Sequence, residues 1–282
     1  MVTRMASQKG ASLRLFLAES SAKIAAVILT GTIVILSSGS MPPKLLSGKD
    51  NSPPASGTIK GTVRFIGTVP KLDPLTVTKN PEVCGKTKPL DRLILGENNC
   101  VEYTLIYLKN PPPGKTAGPQ TTPISINQQN CRYIPHMVIA AKGSPVEIIN
   151  NDPVLHNCHG YYFADHSTAY NIGQPLKGQK TPQVVRKPGM IELQCDAGHV
   201  WMTAWIWVTE SPYAAVTGEN GEFTLKDVPP GTYTLVLWHE GWNITKTGQG
   251  GRQVFSAPIV QEKEVAVSPE RSSIVNFELQ SQ

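Results

Sequence analysis

Residues Gln194 to Met202 read QCDAGHVWM, a stretch that sets a thiol, an imidazole and a thioether (Cys195, His199 and Met202) within eight positions. The whole chain holds only five cysteines and six histidines, so such a cluster asks for a reason. A transition metal supplies one. A thiolate is soft and strongly donating, imidazole suits both common oxidation states of copper, and a weak thioether locks in neither. Electron-transfer copper sites favour two imidazoles and a thiolate in a plane with a weak axial donor. Cys195-x3-His199-x2-Met202 provides three of these four groups. The second imidazole is expected from a distant strand end, and NNDPVLHN (150–157) offers His156. Asn157 beside it is placed to tie the two ligand loops together through hydrogen bonds. The competing explanation is a buried thiol next to incidental histidines.

The segments that must position these groups read as strands. MIELQC leads into the cluster, TAWIWVTE leads out of it, and PVEIIN precedes the His156 loop. GTIKGTVRFIG (57–67), VEYTLIYLKN (101–110), ISIN, HMVIAA, QVVRK, EFTLK, TYTLVLWHE and SIVNFEL are further candidates, recognised by apolar alternation and β-branched content. Turns are marked at Lys142-Gly143, Asn150-Asn151-Asp152, Pro188-Gly189 and VPPG (228–231). With 24 Gly, 24 Pro and 17% charged residues, and no long amphipathic helix beyond the first forty positions, the composition points to an all-β pair of small sandwiches.

Tyr133 to Val208 resembles the cupredoxin (blue copper) family, through Gly143-x-x-Val146, Asn150-x-Asp152-x-x-x-His156-Asn157 and Cys195…His199…Met202. The resemblance implies a Greek-key sandwich, copper as cofactor, and a ligand role for His156, Cys195, His199 and Met202. The C-x3-H-x2-M spacing looks like half of the binuclear copper-A motif. That motif needs a second cysteine four positions before Cys195, and position 191 is Ile. This excludes a standard copper-A centre and leaves a mononuclear site or an unusual one with more donors. CRYIPH and NCHG bring such donors in Cys131, His136, Cys158 and His159. The pattern is closer to exported cupredoxin-like proteins of the methylamine-utilisation type. Against a metal role, His136 on a strand is an ordinary core or surface histidine, and Cys131 with Cys158 is a candidate bridge.

AVTGENGEFTLKDVPPGTYTLVLWHEGW (215–242) looks like a carboxypeptidase regulatory-like, transthyretin-like sandwich, carried by Thr217, Gly221-x-Phe223 and VPPG-x-Tyr233. GTIKGTVRFIG resembles the opening strand of the same family. The expected organisation is therefore residues 57–120 as N-terminal strands that join the C-terminal sandwich (211–282), with the copper domain (121–210) inserted between them. WHEGWN lacks the second histidine of a zinc protease, and GQGGRQ lacks the Lys-Ser/Thr of a phosphate loop. No paired carboxylates stand out, so an enzyme is not expected.

Residues 1–40 carry four basic side chains, one acidic side chain (Glu19), an apolar run from Ile24 to Leu36 and the small polar stretch Ser37 to Ser40. These are the parts of an export signal. Thirteen helical residues span about 20 Å, short of a ~30 Å hydrocarbon core. A cleaved signal and a periplasmic or secreted location are expected, an uncleaved anchor over 24–36 being the alternative. Residues 41–56 form a Pro/Ser-rich linker. Without the first forty residues the net charge of +5 falls to +2, and no basic run interleaved with aromatics follows, so nucleic acid is not an expected partner. A redox protein such as a cytochrome or oxidase is. An odd set of five cysteines in an oxidising compartment leaves at least one for another role. Cys84–Cys100, within one loop-rich segment, is the pair expected to bridge, with four free thiols the alternative.

Overall fold

The computed structural model describes residues 55–281, and the expected signal and most of the linker lie outside them. Almost every ordered element is a strand, as the alternation of apolar residues requires, and the strands form two sandwiches.

The first sandwich comes from the middle of the chain. One sheet has the order Thr168–Gln174, His156–Tyr162, Gly189–Gln194, Thr203–Thr209, Met137–Ala141; the other runs Gln179–Val184, Pro145–Asn150, Ile124–Gln129, Arg132–Ile134. Each contains one parallel pairing, Thr203–Thr209 with Met137–Ala141 and Ile124–Gln129 with Pro145–Asn150. Ile126, Val146, Ile148, Cys158, Ile191, Leu193, Ala204, Ile206 and Val208 fill the space between the sheets.

The second sandwich is assembled from both flanks of the first. Gly57–Phe65 pairs antiparallel with Glu222–Val228 and parallel with Ser272–Ile274 and Phe277–Leu279. Leu105–Leu108 pairs with Ala214–Val216 and with Gly231–His239, which in turn pairs with Ile259–Val267. The chain therefore leaves this sandwich after Leu108, builds the other, and returns at Ala214. Gly61 sits where a Cβ would fall 1.7 Å from the Val275 carbonyl oxygen, so only glycine lets the closing segment lie against the opening strand.

Period-two geometry divides the Thr203–Thr209 strand between two jobs. Ala204, Ile206 and Val208 face the first core, whereas Trp205 and Trp207 face the second sandwich. There Trp205 meets Trp238 (ring centroids 5.1 Å apart) and Trp207 meets Tyr107 (5.0 Å). These tryptophans pack the seam between the sandwiches. Two sequence expectations shift, and one strand was not among the candidates. QVVRK pairs as Gln179–Val184, four residues earlier; His156 opens a strand rather than only ending a loop; and Ile259–Val267, with weak apolar alternation, is a full nine-residue strand.

Candidate metal centre

Strand register brings the candidate donors to one edge. Gln194 pairs with both His159 and Thr203, so Cys195, one residue on, emerges beside the start of the His156–Tyr162 strand. Residues 195–202 loop back to enter Thr203–Thr209. Gly198 takes φ +95° within this loop, a left-handed turn that favours glycine, and the Met202 amide donates to the His199 carbonyl oxygen at 3.0 Å.

His156, Cys195 and His199 are fully buried, and their donor atoms converge. The two Nδ1 atoms lie 3.1 Å apart, and Cys195 Sγ lies 3.5 Å from Nδ1 of His199 and 4.0 Å from Nδ1 of His156. A circle through a triangle with these sides has a radius of about 2.1 Å, within the range of transition-metal bonds to imidazole nitrogen and close to those to thiolate sulfur.

The outer ring nitrogens fix the tautomers. His156 Nε2 lies 2.9 Å from Asp152 Oδ2. His199 Nε2 lies 3.2 Å from Asn80 Oδ1, and that amide is oriented by its own Nδ2 donating to Glu82 Oε1 at 3.1 Å. Both Nε2 atoms therefore donate, so in the neutral rings both Nδ1 atoms present lone pairs toward each other and toward sulfur. Three buried lone-pair donors facing one point repel unless a proton or a metal cation sits between them. The donor set fits copper: two imidazoles, one thiolate, and Met202, 1% exposed, buried in the same cluster.

The electrostatics agree with a metal-binding thiolate. Burial opposes ionisation of Cys195, but contact with both imidazoles and hydrogen bonds from the amides of Asn157 and Ala197 outweigh it and bring the thiol down to about 6. The Asn157 amide donates to Sγ at 3.4 Å, while Asn157 Oδ1 accepts from the Asp196 amide at 3.4 Å, linking the two ligand loops. Burial likewise disfavours charge on His156, yet Asp152 and Cys195 hold its pKa above the ordinary imidazole value. Asp152 loses solvation on burial, but His156 and the amides of Cys131 and Asn130, all three donating to its carboxylate, more than offset that and hold its pKa low.

No curated protein sequence matches this chain. One family's sequence model, described as polysaccharide lyase family 4, domain II, matches residues 192–251, a span that crosses from one sandwich into the other. Solved structures similar to part of the chain include cupredoxins. The copper-containing nitrite reductase of Thermus scotoductus SA-01 is 19% identical over 36% of this chain and 25% of its own, with a TM-score of 0.27. A purple cupredoxin of Nitrosopumilus maritimus is 19% identical over 30% and 98%, with a TM-score of 0.26. Amicyanin of Paracoccus versutus is 16% identical over 36% and 96%, with a TM-score of 0.27. The chain thus spans about a quarter of the reductase. Likenesses this distant carry no argument about the centre, which rests on its own geometry.

Of the other donors named from sequence, Cys131 lies against the site, within 4.8 Å of donor atoms of His156 and of His199, and the rest lie elsewhere. His136 is buried at the seam between the sandwiches, where Nε2 contacts Glu240 Oε1. His159 Nδ1 faces Asp196 at 2.6 Å and its Nε2 faces Thr168 Oγ1 at 2.9 Å. Cys158 is a free thiol in the core, pushed up to about 12 by burial. The expected Cys84–Cys100 bridge is not formed, nor is Cys131–Cys158; Cys84 is bonded to Cys131. Cys100 instead pairs through its backbone with Arg64 in the second sandwich, while the short helix Pro81–Cys84 packs on the first core. Cys131 is thus spent in the disulfide and has no thiolate to offer a metal.

Two contributors to the site escaped the sequence: Asn80 and the Cys84–Cys131 link. Asn80 stands 119 positions from the histidine it holds, and no local pattern encodes that distance. Asp152 had a faint signal in its four-residue spacing from His156.

Proposed function

We propose that this protein binds one copper ion, which His156 Nδ1, Cys195 Sγ and His199 Nδ1 would hold with Met202 as a weaker fourth donor, and carries single electrons between redox partners. The observation that carries this is the convergence of three buried, tautomer-fixed donors within 3.1–4.0 Å. A bound copper ion would supply a one-electron couple between its cuprous and cupric forms. The chain's residues do the rest. Cys195, already acidic, yields its proton readily; Asp152 and Asn80 hold the imidazoles; strand ends on three neighbouring strands limit movement when charge changes. Burial keeps bulk water from the donors, which favours an electron carrier over a copper enzyme with an open position. The reading as an exported protein is supported by the disulfide, since such bonds persist in oxidising compartments. No helix among the described residues is long and apolar enough to cross a membrane.

The test is to load the full chain with copper and record visible absorption, electron paramagnetic resonance and a redox titration, with Cys195→Ser alongside. An intense thiolate-to-copper band, lost in the variant, with reversible one-electron cycling is expected. Tight cuprous binding without reversible cycling would favour storage or delivery instead. No stoichiometric copper would leave a metal-free scaffold.

A further inference from the structure

The ligand loop is also held from outside its own sandwich. Between Gly231–His239 and Ile259–Val267, the second sandwich extends a hairpin, Ile244–Thr247 paired with Gln253–Phe255. Arg252 precedes its second strand, and its own carbonyl closes the turn by accepting from the Gly248 amide at 2.7 Å. Its guanidinium reaches the loop with both terminal nitrogens. Nη2 donates to the Cys195 carbonyl oxygen at 2.9 Å and Nη1 to the Val200 carbonyl oxygen at 3.0 Å. Asp196 Oδ1 lies 3.7 Å from Nη2, and the Arg252 side chain is 20% exposed.

One planar fork therefore grips the loop at the thiolate ligand and again between His199 and Met202. A guanidinium suits this task because its donors are fixed relative to one another, which the single ammonium of lysine cannot match. It also places a permanent positive charge beside the thiolate ligand. Copper bound there is less positive when reduced, so a nearby cation favours the cuprous form, all the more where bulk water is excluded. Asp196 offsets part of that charge, but it is 41% exposed and screened by solvent.

We propose that Arg252 is a positioning residue through which the second sandwich fixes the geometry of the Cys195–Met202 loop and raises the electron affinity of the centre. This rests on the copper reading above. It gives the second sandwich a role in the redox chemistry beyond that of a passive neighbour.

The experiment compares full-length wild type with Arg252→Gln and Arg252→Lys. It measures copper stoichiometry, the thiolate band and paramagnetic hyperfine coupling, the midpoint potential, and hydrogen exchange of residues 195–202 in the metal-free protein. With Arg252→Gln, copper should stay at one per chain, while the cuprous-to-cupric ratio at fixed potential falls about tenfold, equal to about 59 mV for one electron. Loop amides should exchange faster. Arg252→Lys should recover most of the potential but not the band shape or the loop protection, separating charge from geometry. Potential, spectrum and exchange all unchanged in Arg252→Gln would overturn the proposal, leaving an arginine that merely joins the sandwiches. If the wild type binds no copper, the copper reading fails on its own evidence and the potential with it. Unchanged loop exchange in that case would remove the positioning role as well.

Discussion

Asp152 connects two kinds of demand at one carboxylate. Its oxygens accept from the amides of Asn130 (2.8 Å) and Cys131 (2.7 Å) while Oδ2 also meets His156 Nε2. Asp152→Asn keeps the shape, but it removes the charge and turns one acceptor into a donor among N–H groups. Partners of this kind, one step removed from the metal, are worth 10–100-fold in affinity. We expect a loss of about that size for copper, measured by competition with a chromophoric chelator; unchanged affinity would deny Asp152 its role. Cys195 makes a separate prediction for the metal-free protein. Its thiolate is stabilised in the fold, so ultraviolet thiolate absorbance, taken as a difference from Cys195→Ser, should persist at pH 7 and disappear as pH falls through about 6. A free thiol would instead titrate near 8.5. Because the folded pKa is the lower one, the contribution of this group to stability is full above that free value. It is lost as pH falls through the folded one.

At the scale of elements, the centre leans on a segment that belongs to neither sheet beneath it. Asn80 precedes the helix Pro81–Cys84, whose last residue is bonded to Cys131; Cys131 in turn donates its amide to Asp152. The outer nitrogens of both histidines are thus tied to the two ends of one disulfide, His199 through Asn80 and His156 through Asp152. The bond closes a sequence separation of 47 residues, which in the chain-entropy description is worth about 4 kcal/mol. Reduction by a dithiol, or Cys84→Ala with Cys131→Ala, should lower unfolding stability by up to that amount in denaturant titrations, whereas Cys100→Ala should not reproduce the effect of breaking the link. Peptide mapping that found Cys84 joined to Cys100 would refute the arrangement. The strands carrying Cys195 and Met202 were legible because MIELQC and TAWIWVTE are short, largely apolar runs set off by turn residues. The pairing of Cys84 was not, because loop length favoured the nearer Cys100, and only the fold shows that Cys100 belongs to the other sandwich. Ile259–Val267 was missed for a related reason. Its alternate positions include Gln261 and Lys263, half-buried or exposed at the sheet surface, so burial left little periodicity to read.

The molecule as a whole is joined across its seam by buried charge. Arg92 Nη1 lies 2.6 Å from Glu240 Oε2 and its Nη2 lies 3.4 Å from Glu192 Oε1, while His136 contacts the other Glu240 oxygen. Glu192 and His136 come from the first sandwich, Glu240 from the end of a second-sandwich strand. The two carboxylates stand in different balances. Burial opposes the charge on each, but at Glu240 the nearby Arg92 and His136 prevail and hold the pKa below its ordinary value. At Glu192 burial prevails over Arg92 and pushes the pKa up. Glu240 therefore contributes stability that is present above the ordinary carboxylate range and lost as pH falls through its lower folded value. Glu192 acts in the opposite sense, favouring the fold when protonated and losing that contribution as pH rises through its raised value. At pH 7, removing charge at the two positions should have unequal effects. Glu240→Gln leaves Arg92 and His136 without their shared partner, and breaking a buried pair in this way costs about 3–5 kcal/mol. In a domain pair of this size each kcal/mol moves the midpoint by roughly 2–4 °C, so thermal unfolding should fall by roughly 6–20 °C. Glu192→Gln removes a charge the fold already disfavours, and its midpoint should stay within a few degrees of wild type. Equal losses from both variants would mean that Arg92 depends on the two carboxylates alike, and that the seam is held by the sum of its charges rather than by the Glu240 pair.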